Sequence, residues 1–201
     1  MLTAADIVTF DDTPPPPGSS PWVDKGPQRE IAVVDYDPTW PNSFEQLASR
    51  LRGALGATAL AVEHVGSTSV PGLPAKPIID VDLTVPDSAD EDAWLPPLEA
   101  AGFSLQIREP WWYGHRCLTA SDPAANIHVF SPDCAEVARH RIFRDWLRTQ
   151  PQDRELYRDA KLTAAEAANA GGEHVMQYNA RKQQVIRAIY HRAFVAAGLL
   201  A

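Results

Sequence analysis

The chain has 201 residues, 45% of them hydrophobic and 22% charged, enough for one buried core and ordinary for a globular domain. Its net charge of −8 argues against a long nucleic acid as partner, because holding a phosphate backbone relies on clustered cations. No apolar run approaches the ~20 residues that cross a bilayer, and the opening MLTAADIVTFDD lacks the basic and apolar regions of a signal peptide.

Residues 1–29 read as a flexible Pro-rich tail, since DDTPPPPGSSP favours extended polyproline II over a packed core and becomes ordered only where it lies against the body. The domain proper is expected over 30–201. IAVVDYD (31–37) predicts a short strand. DPTWPNSF predicts a turn into a helix over about 43–55, capped by Asn42 or Ser43, with Glu45 near its positive end. Phe44, Leu47, Leu51 and Leu55 form that helix's core face and Gly56 ends it.

LAVEHV (60–65) and PIIDVDLTV (77–85) are strands on either side of an irregular loop. DEDAWLPPLEAAGF predicts a helix interrupted by Pro96 and Pro97, followed by a strand near 103–108; HRCLT (115–119) and NIHVF (126–130) are two more. After Pro132 the pattern turns helical, over about 134–148, 153–169 and 174–196. The expected class is α/β or α+β, a mixed sheet flanked by helices with a helical C-terminal layer.

Charge is unevenly spread along this plan. Through residue 138 there are 7 Lys and Arg against 20 Asp and Glu, and from Arg139 onward 11 against 6. An acidic body with a basic helical end suits a small anionic ligand held between them, and equally a solvated helix surface. Cys117 and Cys134 stand in no Cys-x-x-Cys or zinc-type spacing and read as free thiols of a reducing cytoplasm.

The chemistry concentrates in GSTSVPGLPAKPIIDVDLTV (66–85). Strand side chains alternate faces, so Asp80, Asp82 and Thr84 share one face while Ile79, Val81, Leu83 and Val85 form the apolar one. Two carboxylates so placed repel unless solvated or bridged by a cation; Mg²⁺, or Mn²⁺ in its place, suits their hard oxygens and leaves positions open for phosphate. Gly66 and Gly72 permit close backbone approach, the hydroxyls of Ser67, Thr68 and Ser69 can nest phosphate oxygens, and Lys76 adds a cation. Pro71, Pro74 and Pro77 stiffen the path. The Gly-Lys-Ser/Thr ending of a Walker A loop is absent.

An apolar residue, Gly66-Ser67, twelve residues, then Asp80-Val81-Asp82-Leu83 resembles the signature of the DNA polymerase beta-like nucleotidyltransferases. Together with VVDYDPTWPNSFEQL, NIHVFSPDCAEVARHRIFRDWLR and QYNARKQQVIRAI, the chain from Ile31 to its last helix resembles the GrpB-like family, a divergent branch of that superfamily. The resemblance implies a nucleotidyltransferase-type fold, Gly66 and Ser67 at a nucleoside triphosphate, and Asp80 and Asp82 as Mg²⁺ ligands and catalytic acids. It also implies a third carboxylate on another strand. His128 of NIHVF stands there instead, as a base, a metal ligand or a structural hydrogen-bonding residue. Glu109 and Asp133 are the other candidates for that acid.

Arg141 and Arg144, with Arg139, His140 and Arg148 nearby, can clamp a triphosphate, although Arg141 with Asp145 also reads as a surface helix pair. Lys161, Tyr178 and Lys182 are further contacts, Glu63-His64 shapes the loop, and Trp111, Trp112 and Tyr113 form core or an acceptor-pocket wall. The expected activity is Mg²⁺-dependent transfer of a nucleotidyl group from a nucleoside triphosphate to a small-molecule acceptor, with pyrophosphate released. The alternative is a nucleotide- or phosphate-binding module without turnover that assists a partner enzyme. Phosphoryl or pyrophosphoryl transfer on the same site is a third reading.

Overall fold

The computed structural model describes residues 2–23, 30–173 and 175–200. Strands β1 (Ala61–Val65), β2 (Ile79–Thr84), β3 (Ser104–Glu109), β4 (His115–Ser121) and β5 (Ala124–Phe130) form one sheet in the order β1-β2-β5-β4-β3. β2 and β5 run parallel and every other neighbouring pair antiparallel. Helices α1 (Ala4–Val8), α2 (Trp40–Leu55), α3 (Leu95–Ala100), α4 (Ala135–Thr149), α5 (Pro151–Ala170) and α6 (Val175–Ala196) complete an α+β domain with a mixed sheet. No helix among the described residues is long and apolar enough to cross a membrane.

The sheet's two faces differ because its strands alternate. Ile79, Val81 and Leu83 of β2, Ile127 and Val129 of β5 and Leu118 of β4 turn to one side, where they pack with Leu47 and Leu51 of α2 and Leu98 of α3. Each such side chain contributes about 2–3 kcal/mol on full burial. The opposite side carries Asp80, Asp82, Asn126, His128 and Cys117, and the cavity above it is bounded by residues of α4, α5 and α6. A second apolar cluster of Val70, Leu73, Leu147, Tyr157 and Ile189 fastens the loop before β2 to those helices.

Several elements depart from the sequence expectation for local reasons. Residues 31–37 form no ladder beyond a bridge between Val34 and Ala75. The Asn169 side chain on α5 instead takes both backbone groups of Ile31, accepting from its N–H at 2.9 Å and donating to its carbonyl at 3.1 Å. α2 starts at Trp40, so Asn42 and Ser43 lie inside it; Asp37 turns the chain by accepting from Thr39 N–H at 2.8 Å, and Pro41 sits in the first turn, where no donor is lost. Pro96 and Pro97 likewise open α3 rather than interrupt a longer helix.

The N-terminal segment lies against the body over its described part. Thr3 and Asp6 close a capping box on α1. The buried Arg139 guanidinium donates to the carbonyls of Asp6, Ile7 and Thr9 at 3.0–3.2 Å, and Phe10 packs edge-on to Tyr190 at 5.2 Å. Pro21 and Val23 add backbone bonds to β3 through Arg108 and Gln106. Residues 24–29 of the expected tail lie outside the described residues.

Candidate functional site

β1 and β2 pair so that Val65 faces Asp80 and Glu63 faces Asp82, and the loop 66–78 joins them. Gly66 has φ 67°, and a Cβ there would stand 2.9 Å from Asp80 Cβ, so backbone conformation and space both require glycine. Ser67–Ser69 form a 3-10 turn closed by Ser69 Oγ donating to Gly66 O at 2.6 Å. Arg148 clamps the turn by donating from Nε and Nη2 to Ser69 O at 3.0 and 2.8 Å. His64 is stacked on Phe44 at 4.8 Å and bonded to Thr68 Oγ1 at 3.0 Å; burial pushes its pKa down to about 4, so it supports the loop as a neutral ring.

Between this turn, the polar sheet face and the C-terminal helices lies a cavity of about 520 Å³. Gly66, Ser67, Lys76, Asp80, Lys161 and Lys182 face into it together, with His128 and Tyr178 beside them. Asp80 Oδ1 accepts from Asn126 Nδ2 at 2.9 Å and lies 3.8 Å from His128 Nε2. Burial opposes charge on Asp80, but His128, Asn126 and Lys76 outweigh it and hold the carboxyl below its ordinary range.

The lysines are held in unfavourable surroundings. Burial, reinforced by Lys182, pushes Lys161 down to about 7, and burial pushes Lys182 down to about 8. Lys161 Nζ donates to Pro74 O, and Lys182 Nζ sits 4.3 Å from the centre of the Tyr178 ring. Lys76 is lowered as well, chiefly by burial. Three lysines crowd this cavity, where burial disfavours their charged forms, and an entering polyanion would restore and stabilise those charges. Tyr157 of α5 packs with Val70 and Leu73 and ties the loop to that helix.

Asp82 has a different environment, although it projects from the same strand face. It is 1% exposed and both its oxygens lie near His140 Nδ1, at 2.9 and 3.1 Å. His140 Nε2 in turn lies 3.4 Å from Glu136 Oε1. Burial alone would lower the His140 pKa, but Asp82 and Glu136 push it up to about 10, so Asp82 faces an imidazolium. The two aspartates fit Mg²⁺ in donor type and in sharing a face, and a cation held by both would take the place of that imidazolium.

β5 brings no third carboxylate: Asn126 pairs in register with Asp80 and His128 with Asp82. Burial opposes charge on His128, yet Cys117 and Asp80 raise its pKa well above the usual histidine value. It therefore stands as a proton donor beside Asp80 rather than as a near-neutral base. Glu109 accepts from His115 Nδ1 at 2.8 Å, and Asp133 lies in the turn before α4, lining a separate hollow beside the N-terminal segment.

The arginines of α4 lie outside the cavity lining. Arg141 pairs with Glu63 at 2.9 Å, and Arg144 engages Asp145 at 2.8 Å and His64 O at 3.0 Å. They brace β1 and the turn, while Lys161 and Lys182 supply the charge facing the cavity. Thr68 lines the cavity but Ser69 serves the turn. Trp112 packs on His115 at 5.3 Å as part of the wall, Trp111 is half-buried, and the Tyr113 hydroxyl accepts from Arg139 at 2.7 Å. Sequence reasoning overlooked Asn126, His115, Glu136 and the pairing of His140 with Asp82. The first two occupy the same alternation on β5 and β4 that marks Asp80 and Asp82, and Glu136 and His140 are one helical turn apart.

Comparison with known proteins agrees with this architecture. A sequence model described as GrpB protein matches residues 30–192. A UPF0157 protein of Halalkalibacterium halodurans is 47% identical over 163 residues, covering 81% of this chain and 82% of that protein. A dephospho-CoA kinase of Mycolicibacterium paratuberculosis is 30% identical over 190 residues, covering 82% of this chain but 46% of the kinase. The crystal structure of conserved protein GrpB from Enterococcus faecalis superposes with a TM-score of 0.71 at 31% identity, covering 83% of this chain and 99% of that one.

Proposed function

We propose that this chain, which belongs to the GrpB family, holds the triphosphate of a nucleoside triphosphate in the cavity at Gly66 and transfers its nucleotidyl group to a small-molecule acceptor. The observation that carries the reading is the convergence of the Gly66–Ser67 turn, Asp80 and the side chains of Lys76, Lys161 and Lys182 on one cavity. In the transfer, an acceptor oxygen or nitrogen forms a bond to the α-phosphorus as the bond to the leaving pyrophosphate breaks, and the acceptor's proton passes to a base. Lys161 and Lys182 gain stability as their charges meet the polyphosphate, and Ser67 and the turn position it. His128, protonated between Asp80 and Cys117, donates rather than accepts a proton. Asp80 and Asp82 would hold Mg²⁺, or Mn²⁺, which when bound neutralises triphosphate charge and aligns the leaving group. A reducing cytoplasm suits the free Cys117 and Cys134 thiols.

The second reading, binding without turnover in support of a partner enzyme, is favoured by the His140 imidazolium on Asp82 and by the likeness to one part of a dephospho-CoA kinase. Calorimetric titration of each nucleoside triphosphate with and without Mg²⁺, on the protein and on Asp80→Asn, separates the two when paired with a pyrophosphate-release assay. Metal-dependent binding and release, both lost in the variant, support transfer. Binding without release under a screen of acceptors supports the module. Absence of triphosphate binding refutes transfer and leaves the module, with another phosphate ligand or the partner alone.

A further inference from the structure

Beside the cavity, and sharing His128 with it, β4 and β5 bring three nitrogen and sulfur side chains together. Cys117 and His128 are register partners on the same sheet face, and His115 lies two residues before Cys117 on that face. One ligand atom from each of His115, Cys117 and His128 falls within 4.8 Å of the other two. His115 and Cys117 are buried, at 4% exposure each, while His115 and His128 also line the cavity.

We infer that His115, Cys117 and His128 form a binding site for a borderline divalent metal ion of the zinc class, with a fourth position open to the cavity. The hydrogen bonds already aim the ligands. Glu109 accepts from His115 Nδ1 at 2.8 Å, which leaves Nε2 with its lone pair, and that atom lies 3.0 Å from His128 Nδ1. The remote nitrogen of His128 faces Asp80 Oδ1 at 3.8 Å. Each imidazole thus has a carboxylate behind it and its other nitrogen turned toward its neighbour, the arrangement that orients metal-bound histidines. Two nitrogens on a tetrahedral zinc at ~2.0–2.1 Å stand about 3.3 Å apart, so the rings need to part by only a few tenths of an ångström.

Mixed thiolate and imidazole ligands suit Zn²⁺ and Co²⁺ rather than Mg²⁺ or Ca²⁺. Three protein ligands with a fourth position facing a cavity match the open form of zinc site, which takes water or a ligand oxygen there. Cys117 binds as the thiolate and His128 through Nδ1, so the proton between His115 and His128 is released, together with any proton on the sulfur. The metal then replaces that hydrogen bond, and His128 keeps its other nitrogen for Asp80. This site shares His128 with the phosphate cavity but makes no use of Asp82.

The test is titration of the chelator-treated full chain with Co²⁺, read by absorption, followed by competition with Zn²⁺. The expected result is one equivalent bound with a thiolate-to-cobalt charge-transfer band, displaced by Zn²⁺. Cys117→Ser is expected to lose the band and to bind at least tenfold more weakly, Glu109→Gln to keep the band with affinity about 10- to 100-fold lower, and Asp82→Asn to change neither. Alkylation of the unmodified protein, followed over time by mass spectrometry so that the buried Cys117 reacts through local opening, adds a measurement that needs no variant: Zn²⁺ should slow Cys117 and leave the rate at Cys134 unchanged. No charge-transfer band, a band that survives Cys117→Ser, or Zn²⁺ protection confined to Cys134 overturns the site. Triphosphate binding in Mg²⁺ is read separately, so loss of either site is distinguishable from loss of the other.

Discussion

Replacing Lys161 by Met tests whether the cavity stores unfavourable charge for a ligand. Lys161 is 2% exposed, and its pKa stands at about 7 against an ordinary 10.5. Between these values the unfolded chain binds a proton that the folded protein does not, so stability rises with pH across this window and the full cost applies below pH 7. At ~1.4 kcal/mol per pH unit, giving up the proton that the unfolded chain keeps costs at most about 4 kcal/mol near pH 7.5 and about 1.4 kcal/mol near pH 9.5. Methionine keeps the length and removes the charge, but it strands Pro74 O, which Lys161 now satisfies, at about 1–3 kcal/mol. Lys161→Met should therefore be more stable than the parent by about 1–3 kcal/mol near pH 7.5 by urea unfolding. That advantage should shrink by about 2.5 kcal/mol near pH 9.5, where the parent has lost most of its penalty. The same variant should bind triphosphate at least about tenfold more weakly. Equal destabilisation at both pH values, or unchanged triphosphate affinity, refutes the reasoning.

Other perturbations address the remaining parts of the site. His140→Gln leaves Asp82 buried opposite a neutral group, and the unliganded protein should lose about 3–5 kcal/mol by urea unfolding, most of it restored by adding Asp82→Asn; a loss under about 1 kcal/mol contradicts the pairing. Gly66 and Gly72 both have positive φ, but a Cβ at Gly72 meets nothing within 4 Å whereas one at Gly66 meets Asp80. Gly72→Ala should cost about 1–2 kcal/mol for backbone strain alone, and Gly66→Ala about 1–3 kcal/mol more by thermal or urea unfolding, together with loss of triphosphate binding. Equal costs at the two positions would show that Asp80 yields freely.

What could be read from the sequence follows from what is local. The alternation of Ile79, Asp80, Val81 and Asp82 fixes which side of β2 is core, because one slip in register would bury two carboxylates among Leu47, Leu51 and Leu98. The C-terminal helices are similarly legible from their apolar stripes. The 31–37 segment was not, since its extended form is held by the side chain of Asn169, 138 residues away from Ile31. Among the cations, Arg141, Arg144 and Lys161 look equally available in a linear chain. Tertiary pairing decides between them: Glu63 and Asp145 engage the two arginines, while Lys161 and Lys182 meet across α5 and α6 above Asp80.

Asp80 and Asp82 show how far identical chemistry on one strand face can diverge. One faces lysines and an open cavity, and the other faces a half-buried imidazolium. Transfer and passive binding differ in a single exchange at Asp82. Removing the imidazolium and leaving the carboxylate bare costs about 3–5 kcal/mol. Under the proposed transfer, a divalent cation would bring two charges where His140 brings one and would also bind a triphosphate held by the lysines, so the exchange would become favourable when nucleotide and cation arrive together. Under passive binding, an anion alone would meet Lys161 and Lys182 and leave the Asp82–His140 pair closed. Metal dependence of nucleotide binding in the unmodified protein is therefore the property that tells a poised catalytic site from a receptor.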